Sequence, residues 1–162
     1  MHLSTSHKNL IIILITGTLL RFADLTGESI WVDEGRSMSL AKMPVSEIIS
    51  QNANDNHPPG YSIFLHFWIK VFGAGVFSGR FPAVLSGIGS ILMIYLITRK
   101  FFSESGAFYT GLFLSFSVFH VQYAQEIKTY APAAFLTLLS FYTFFQIRER
   151  PRPGRILSYI VV

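Results

Sequence analysis

The sequence predicts an all-α protein that is integral to a membrane, and three observations support this fold class. Hydrophobic residues make up 51% of the chain and charged residues only 14%, with a mean hydropathy of +0.44. Soluble domains carry about 25% charged residues, so this composition cannot cover a water-facing surface. Long apolar stretches alternate with short polar ones, as in a chain that crosses a bilayer repeatedly. One long polar segment, residues 26–60, interrupts this pattern.

The first membrane span is predicted over residues 9–25. Its apolar part would be about 24 Å long as a helix, slightly shorter than the ~30 Å hydrocarbon core of a bilayer. Lys8 and Arg21 can extend to opposite interfaces and make up the difference. The alternative is a cleaved signal peptide with residues 10–20 as its apolar region. Arg21, directly after that region, argues against cleavage.

Residues 26–60 are predicted to form an extracytoplasmic loop that contains amphipathic helices. Residues 34–42 and 44–52 have helical character, and the second has apolar residues at helical spacing on one face. Short helices of this kind typically lie on the membrane surface. The loop then ends in an Asn- and Asp-rich stretch closed by Pro58 and Pro59, which excludes a helix there.

Residues 61–72 are apolar and aromatic but too few to cross a bilayer. Gly60 and Gly73 bound the stretch, and Trp68 favours the headgroup level. The sequence therefore predicts an interfacial helix here. The rest of the single membrane domain, residues 1–162, is assigned to three more spans and the start of a truncated fifth. Their ranges are 81–98, 106–123, 131–147 and 156–162.

The basic residues predict the topology of these spans. If residues 61–72 do not cross, Lys8, the pair Arg99 and Lys100, and the basic residues of 148–155 share one side of the membrane. The positive-inside rule assigns that side to the cytoplasm, together with the N-terminus. The acidic loop and the polar patch at residues 125–130 then share the extracytoplasmic side. The predicted location is the cytoplasmic membrane, with multiple crossings.

The polar residues of that face suit transfer of a sugar from a lipid phosphate to a hydroxyl. A carboxylate such as Asp33 could take the proton of the attacking hydroxyl. Cationic groups such as Arg36 and His57 could stabilise the charge that grows on the departing phosphate. Direct attack on the face opposite the phosphate inverts the anomeric configuration.

Four sequence elements in order resemble a known family. They are Asp33-Glu34 after the first span, His57-Pro58-Pro59-x-Tyr61 at the end of the loop, Phe72-Gly73 followed by Arg80-Phe81-Pro82, and Gln125-Glu126-x-Lys128-x-Tyr130. The chain is similar here to the GT-C glycosyltransferases of the family 39 type, which include protein O-mannosyltransferases and aminoarabinose transferases. The resemblance extends from Arg21 to about residue 145. It implies the N-terminal helical module of such an enzyme.

The resemblance also implies roles for individual residues. Asp33 matches the family's catalytic base, with Glu34 as its neighbour in the motif. The expected substrate- or phosphate-binding residues are Arg36, His57, Tyr61, Glu126 and Lys128. The implied donor is a polyprenyl-phosphate-linked sugar, and the acceptor is a hydroxyl of a lipid, glycan or protein. Membrane lipids are further expected partners, and nucleic acid is not.

Two of these positions depart from the family pattern, and several have structural interpretations. His57 stands where aminoarabinose transferases tend to have lysine. Lys128 stands where relatives often carry arginine, and the lysine keeps the charge but loses the bidentate contact that arginine makes. Asp33 and Glu34 could instead lie in the solvated first turn of a helix, where carboxylates are favoured by the helix dipole. Arg36 could be an interfacial anchor, and Arg80 is better explained as an interfacial residue or an ion-pair partner than as a ligand.

Other functions remain as alternatives. The chain stops at Val162 inside an apolar run, which favours a non-catalytic truncated remnant, or a subunit that binds lipid phosphate or a partner protein. A small transporter would need charged side chains inside its spans, and residues 81–98, 106–123 and 131–147 hold none. No cofactor is expected. Asp55 and its flanking asparagines suggest a divalent-metal loop, but no ligand series follows.

Overall fold

A computed structural model of the protein describes residues 4–149 and 153–161. Within these ranges the regular structure is entirely helical. The helices are α1 (Thr5–Phe22), α2 (Val32–Ala41), α3 (Val45–Asn54), α4 (Gly60–Phe72), α5 (Val76–Phe101), α6 (Glu104–Phe116), α7 (Val118–Ala124), α8 (Tyr130–Glu149) and α9 (Pro153–Val161). Residues 150–152 of the predicted basic cluster, and residue 162 of the predicted fifth span, lie outside the described ranges.

The longest helix, α5, is at the centre of the fold. It packs against α1, α4, α6, α7 and α8. Ile91 and Tyr95 of α5 are fully buried and form one core cluster with Ile13 of α1 and Ala107 of α6. A second cluster joins α2 and α4 through side chains that include Met38, which is nearly fully buried.

Pro82 lies inside α5 and alters its hydrogen bonding. A proline has no backbone N–H, so the carbonyl four residues earlier loses its helical partner. That carbonyl belongs to Ser78, and the indole Nε1 of Trp68 donates to it at 2.9 Å. Trp68 is on α4, so the hydrogen bond that α5 lacks internally is replaced by one from the neighbouring short helix. At the end of α4, Gly73 has φ +85°, which favours glycine.

The predicted span at 106–123 is not one continuous helix. It is interrupted at Ser117, whose side chain accepts the N–H of His120 and begins α7. The last carbonyls of α6 are bound by Arg21 of α1, which donates from Nη2 to Leu114 O at 3.1 Å and from Nη1 to Ser115 O at 3.4 Å. A guanidinium therefore replaces the next turn of α6.

The position of Arg21 differs from the one predicted for it in the first span. The sequence suggested that this residue extends to the membrane interface, but the structure buries it completely. Its remaining hydrogen bonds join Nη1 to Gly17 O at 2.9 Å and Nη2 to His120 Nδ1 at 2.8 Å. The helix that was expected over residues 9–25 runs from Thr5 to Phe22.

The ends of the helices gather at two opposite poles. At one pole, Arg99 at the end of α5 donates to Ser6 Oγ of α1 at 3.1 Å, and Lys100 pairs with Glu149 of α8 at 3.0 Å. At the other pole, the end of α1, the start of α5 and the segment between α7 and α8 meet. This second pole also receives α2, so it brings the loop motif to the motif that precedes α8.

Two of the described helices are long and apolar enough to cross a membrane, Val76–Phe101 and Tyr130–Glu149. Helix α1 begins with a polar stretch, residues 5–9, and α6 has 13 residues. The all-helical fold and these two apolar helices agree with a membrane protein. The count of four spans remains a prediction.

Candidate functional site

A buried ion pair between Glu34 of α2 and Arg80 of α5 is at the centre of the second pole. Arg80 donates from Nε to one carboxylate oxygen at 2.9 Å and from Nη2 to the other at 2.7 Å. The side chains are 1% and 4% exposed for Glu34 and Arg80 respectively. Such a two-point contact fixes orientation as well as charge. The sequence suggested an ion-pair partner for Arg80 without identifying it, and the structure identifies Glu34.

The pair also binds the backbone of two neighbouring segments. Arg80 Nη1 donates to the carbonyl of Leu25 at 2.7 Å, which fixes the connection between α1 and α2. Glu34 accepts the N–H of Ile127 at 2.9 Å and that of Trp31 at 3.2 Å. Both oxygens of the carboxylate are therefore occupied by N–H donors. Glu34 positions the chain around it and has no free oxygen for a substrate.

The ionisation of Glu34 follows from these contacts. Burial by itself raises the pKa of this carboxyl, since it penalises the charged form. The hydrogen bonds from Arg80, Ile127 and Trp31, with the positive charge of Arg80, outweigh burial and leave the pKa below its usual value. Glu34 is therefore a carboxylate at neutral pH.

The segment between α7 and α8 is held at this pole from both sides. Gln125 Nε2 donates to the carbonyl of Ala23 at 2.7 Å and to that of Arg21 at 3.3 Å, so it caps the end of α1. Glu34 holds Ile127, as described above. Residues 125–129 are not helical, and the two side chains of interest in this segment, Glu126 and Lys128, are therefore presented by a fixed loop.

Asp33 and Lys128 are brought together across this pole. Lys128 Nζ lies 4.0 Å from Asp33 Oδ2, which is an ionic contact without a direct hydrogen bond. The side chain of Asp33 is 78% exposed and that of Lys128 is 21% exposed. Adjacent residues of a helix point in different directions, so α2 directs Glu34 into the core and Asp33 outward. In this arrangement the Asp33 carboxylate can act as a base, and the Lys128 ammonium can bind an anion.

The negative charge of Glu34 acts on two further residues of the predicted site, Glu126 and Tyr61. The pKa of Glu126 is raised by burial and then by the negative charge of Glu34. The pKa of Tyr61 is raised by burial, with a smaller contribution from Glu34. The hydroxyl of Tyr61 is buried and has no hydrogen-bond partner within the described part of the chain.

Arg36 and His57 have a different partner. Arg36 pairs with Asp55 at 2.5 Å on an exposed surface, and His57 Nδ1 lies 2.7 Å from the carbonyl of Asp55. The structure thus groups Asp33 with Lys128, and it groups Arg36 and His57 with Asp55. Within residues 4–149 and 153–161, no group of three potential ligands lies close enough to hold a metal ion.

Two cavities of similar size open beside the pole. A polar cleft of about 560 Å³ is lined by Trp31, Arg80 and Glu126 among others. An apolar groove of about 570 Å³ lies between α4, α5 and α8, and its lining includes Trp68 and Thr129. Both belong to the described part of the chain. Neither cavity can be recognised in the sequence, because the walls of each come from segments far apart along the chain.

The buried pair generates a stability prediction. Replacing Arg80 with methionine leaves the Glu34 carboxylate buried without its cation, and we expect the free energy of unfolding to fall by about 3–5 kcal/mol. The double variant R80M/E34M should recover part of that loss, because no charge is left unpaired. Thermal unfolding in detergent measures both. Arg36→Met is the control, since an exposed pair is worth less than about 1 kcal/mol.

The same pair generates a pH prediction. Because the pKa of Glu34 is lowered in the folded state, its stabilisation is complete above the unfolded pKa and is lost as pH falls through the folded value. Glu126 acts in the opposite sense, because its raised pKa makes the folded state lose stability as pH rises through that value. Melting temperature against pH should therefore be flatter on the acid side for Glu34→Gln and steeper for Glu126→Gln. Parallel curves for both variants and wild type would contradict the assignment.

The family model for dolichyl-phosphate-mannose-protein mannosyltransferases matches residues 56–162. That range includes Arg80, Glu126 and Lys128 but not the α2 carboxylates. An uncharacterized protein of Aquifex aeolicus (strain VF5) is 23% identical over an alignment of 153 residues, and the match covers 90% of this chain.

The chain spans about a third, 31%, of the length of that relative. No solved structure matches significantly. The family match covers well over half of the chain, and it agrees with the resemblance seen in the sequence. The chain belongs to the dolichyl-phosphate-mannose-protein mannosyltransferase family, which is a family of GT-C type glycosyltransferases.

Proposed function

We propose that the protein transfers a sugar from a polyprenyl-phosphate-linked donor to a hydroxyl of a lipid, glycan or protein on the extracytoplasmic face of the membrane. The observation that carries this proposal is the approach of Asp33 to Lys128, whose ionic atoms are 4.0 Å apart. Glu126, two residues before Lys128, lines the polar cleft, and Thr129, directly after it, lines the apolar groove. The family's own description names dolichyl phosphate mannose as the donor type. The proposal extends that lipid-phosphate chemistry to this chain without specifying the sugar.

Asp33 is the proposed base. It takes the proton of the acceptor hydroxyl while that oxygen bonds to the anomeric carbon of the sugar. The bond between the anomeric carbon and the phosphate oxygen breaks, and the polyprenyl phosphate leaves with the electron pair. Attack opposite the leaving group inverts the anomeric centre. The exposure of Asp33 supports this role, since an acceptor can reach it.

Lys128 is the proposed contact for the departing phosphate. Its ammonium is the cation nearest to Asp33 in the described structure and would stabilise the growing negative charge. Glu34 is proposed to be a positioning residue for Asp33 and Lys128, because it accepts the N–H groups of Trp31 and Ile127 and so fixes the backbone near both. Arg36 and His57 are weaker phosphate candidates, since Asp55 already binds them.

The apolar groove is the proposed site for the prenyl chain. Its walls come from α4, α5 and α8, and aromatic and aliphatic side chains dominate them. Thr129, in its lining, directly follows Lys128 in the sequence. A chain lying in the groove would therefore bring its phosphate toward the ammonium. Tyr61 also lines the groove, and its buried hydroxyl could bind the same headgroup.

The proposed topology has four crossings, made by α1, α5, α6 with α7, and α8. Helices α2, α3 and α4 would lie on the extracytoplasmic surface, and the N-terminus in the cytoplasm. Two contacts support this arrangement, because Arg99 with Ser6 and Lys100 with Glu149 gather the basic helix ends at one pole. Asp33 and Lys128 lie together at the other.

The catalytic proposal predicts the effect of Asp33→Asn. We expect transfer of labelled sugar from polyprenyl phosphate to membrane acceptors to fall about 100-fold or more, because the variant loses its base. Glu47→Gln is the matched control: it removes an exposed carboxylate from α3 and should leave the rate unchanged. An unchanged rate for Asp33→Asn would remove this residue as base. Membranes in which wild type binds lipid phosphate but transfers nothing would favour a binding subunit instead.

The topology predicts which residues share a side of the membrane. The chain has no cysteine, so single cysteines at Ser37 and Thr129 can be labelled without background. A membrane-impermeant maleimide added to intact cells should label both. Lys8→Cys should react only after the cells are opened. Labelling of Ser37 and Thr129 from opposite sides would show that the topology is wrong.

A further inference from the structure

The charges of the chain are unevenly distributed between its two poles. The first pole contains the start of α1, the end of α5, the start of α6, the end of α8 and the start of α9. By sequence, these segments and the residues between α8 and α9 hold seven basic and two acidic residues: Lys8, Arg99, Lys100, Arg148, Arg150, Arg152 and Arg155, with Glu104 and Glu149. The rest of the chain has six basic and seven acidic residues, so the positive excess of the sequence belongs to these segments.

The two carboxylates of the first pole each have a cation beside them. Glu149 Oε2 lies 3.0 Å from Lys100 Nζ, and Glu104 Oε2 lies 4.0 Å from Arg99 Nε. Glu104 also accepts the hydroxyl of the buried Tyr95. By sequence, no further carboxylate belongs to these segments. The two acidic residues therefore offset Arg99 and Lys100 and are not available to the other cations.

Lys8 of α1 and Arg148 of α8 carry charge that no carboxylate offsets. Both residues are exposed, and within residues 4–149 and 153–161 neither side chain has an ion pair or a hydrogen bond. A long basic side chain can extend its charged end toward a headgroup while its methylene stem lies on apolar surface. These two residues are therefore free to bind an external anion.

Direct contacts bring the basic helix ends onto one surface. Arg99 Nη1 donates to Ser6 Oγ at 3.1 Å and so joins the end of α5 to the start of α1. The ion pair of Lys100 joins α5 to the end of α8. Arg155 Nη1 donates to Gln146 O at 3.1 Å and joins α9 to α8. Basic residues from four helices are thus gathered at one end of the bundle, where their charges repel one another unless anions lie among them.

Exposed apolar side chains border this basic surface. Phe101 and Phe102 directly follow Lys100, and Phe102 is 80% exposed. Leu157 and Ile160 of α9 are more than half exposed. Basic and apolar side chains next to each other are typical of helices at the boundary between headgroups and acyl chains. A soluble polyanion would offset the charges and leave these apolar side chains in water, whereas a bilayer accommodates both.

We propose that the first pole binds the headgroups of anionic phospholipids in the leaflet that it faces. Lys8 and Arg148 hold the negative headgroups, and the exposed apolar side chains beside them lie against the acyl chains of the same leaflet. Basic residues next to a membrane span attract anionic lipids in this way. The lipids neutralise cations that otherwise repel one another, and so they tie α1, α5, α8 and α9 together. The inference goes beyond the proposed function, because it concerns the pole opposite to Asp33 and requires no sugar transfer.

Spin-labelled lipids test this proposal on the full chain in nanodiscs. Electron paramagnetic resonance gives the association constant of labelled phosphatidylglycerol at the protein surface relative to that of labelled phosphatidylcholine. We expect a preference of about threefold or more for phosphatidylglycerol at low salt. The preference should approach one at about 1 M salt, where the Debye length is about 3 Å. Both leaflets of a nanodisc contain the same lipids, so the result does not depend on which pole is cytoplasmic.

Matched pairs of substitutions identify the residues that bind the headgroups. Lys8→Gln with Arg148→Gln should remove about half of the preference or more, because both uncompensated charges are lost. Lys42→Gln with Lys70→Gln removes the same charge from two exposed lysines outside the first pole, where acidic residues outnumber basic ones, and should keep the preference. Lys8→Arg with Arg148→Lys keeps both charges and should also keep it. Circular dichroism of each pair checks its helical content.

Thermal unfolding gives a second measure of the same contact. Mixing phosphatidylglycerol into phosphatidylcholine nanodiscs should raise the melting temperature of wild type and of the Lys42 and Lys70 pair. The rise should be smaller when Lys8 and Arg148 are both glutamine. Inorganic phosphate added to phosphatidylcholine nanodiscs should raise the melting temperature much less, because a soluble anion does not contact the apolar side chains of the pole.

Several results would overturn the proposal. One is equal association of the two lipids with wild type, a measurement that does not depend on the folding of any variant. Another is a loss of preference that is as large in the Lys42 and Lys70 pair, or in the pair that keeps both charges, as in the neutralised Lys8 and Arg148 pair. Stabilisation by inorganic phosphate equal to that by phosphatidylglycerol would show a site for a soluble anion in place of a lipid. None of these outcomes depends on transferase activity.

Discussion

The buried contact between Glu34 and Arg80 is the interaction on which the second pole of the fold depends. Removing two charges from water is costly, and their attraction offsets that cost only when the remaining hydrogen-bonding groups are also satisfied. Here both carboxylate oxygens accept additional backbone N–H groups, from Trp31 and Ile127, and the guanidinium binds the carbonyl of Leu25. The pair thereby joins α2, α5, the connection after α1 and the segment before α8. Loss of one partner would affect all four.

This arrangement gives two adjacent carboxylates opposite roles. Glu34 is surrounded by donors and stays charged because they hold it, whereas Asp33 faces solvent and meets the ammonium of Lys128. The buried contact between Glu34 and Arg80 is rigid, and the contact between Asp33 and Lys128 is accessible. A preorganised site requires this combination, because its groups need not be ordered when a substrate arrives. Under the proposed function, the motif is therefore a positioning residue, Glu34, beside the proposed base, Asp33, and not a pair of equivalent acids.

Composition and the length of the apolar stretches were enough to predict the all-helical fold, and the glycines at 60 and 73 indicated the bounds of α4. The order of the motifs indicated the family. The break at Ser117 could not be predicted, since the donor that binds the end of α6 is Arg21, more than ninety residues earlier. That Arg80 is the partner of Glu34 could not be predicted for the same reason, since the two residues are far apart in the sequence. Local patterns report the periodicity of a segment, but which distant side chain binds a given carbonyl or carboxylate depends on the packing of whole helices.

The indole of Trp68 has a consequence for the groove it lines. By donating to the carbonyl that Pro82 leaves free, it couples α4 to α5 through a directional bond. The facing wall, from α8, packs through apolar side chains such as Phe135, whose ring lies against Gly89 of α5. Apolar contacts can slide, but a hydrogen bond in an apolar environment cannot be exchanged cheaply. Movement of α4 away from α5 would therefore break this bond, so the α4 wall of the groove is held in one direction and at one position along α5.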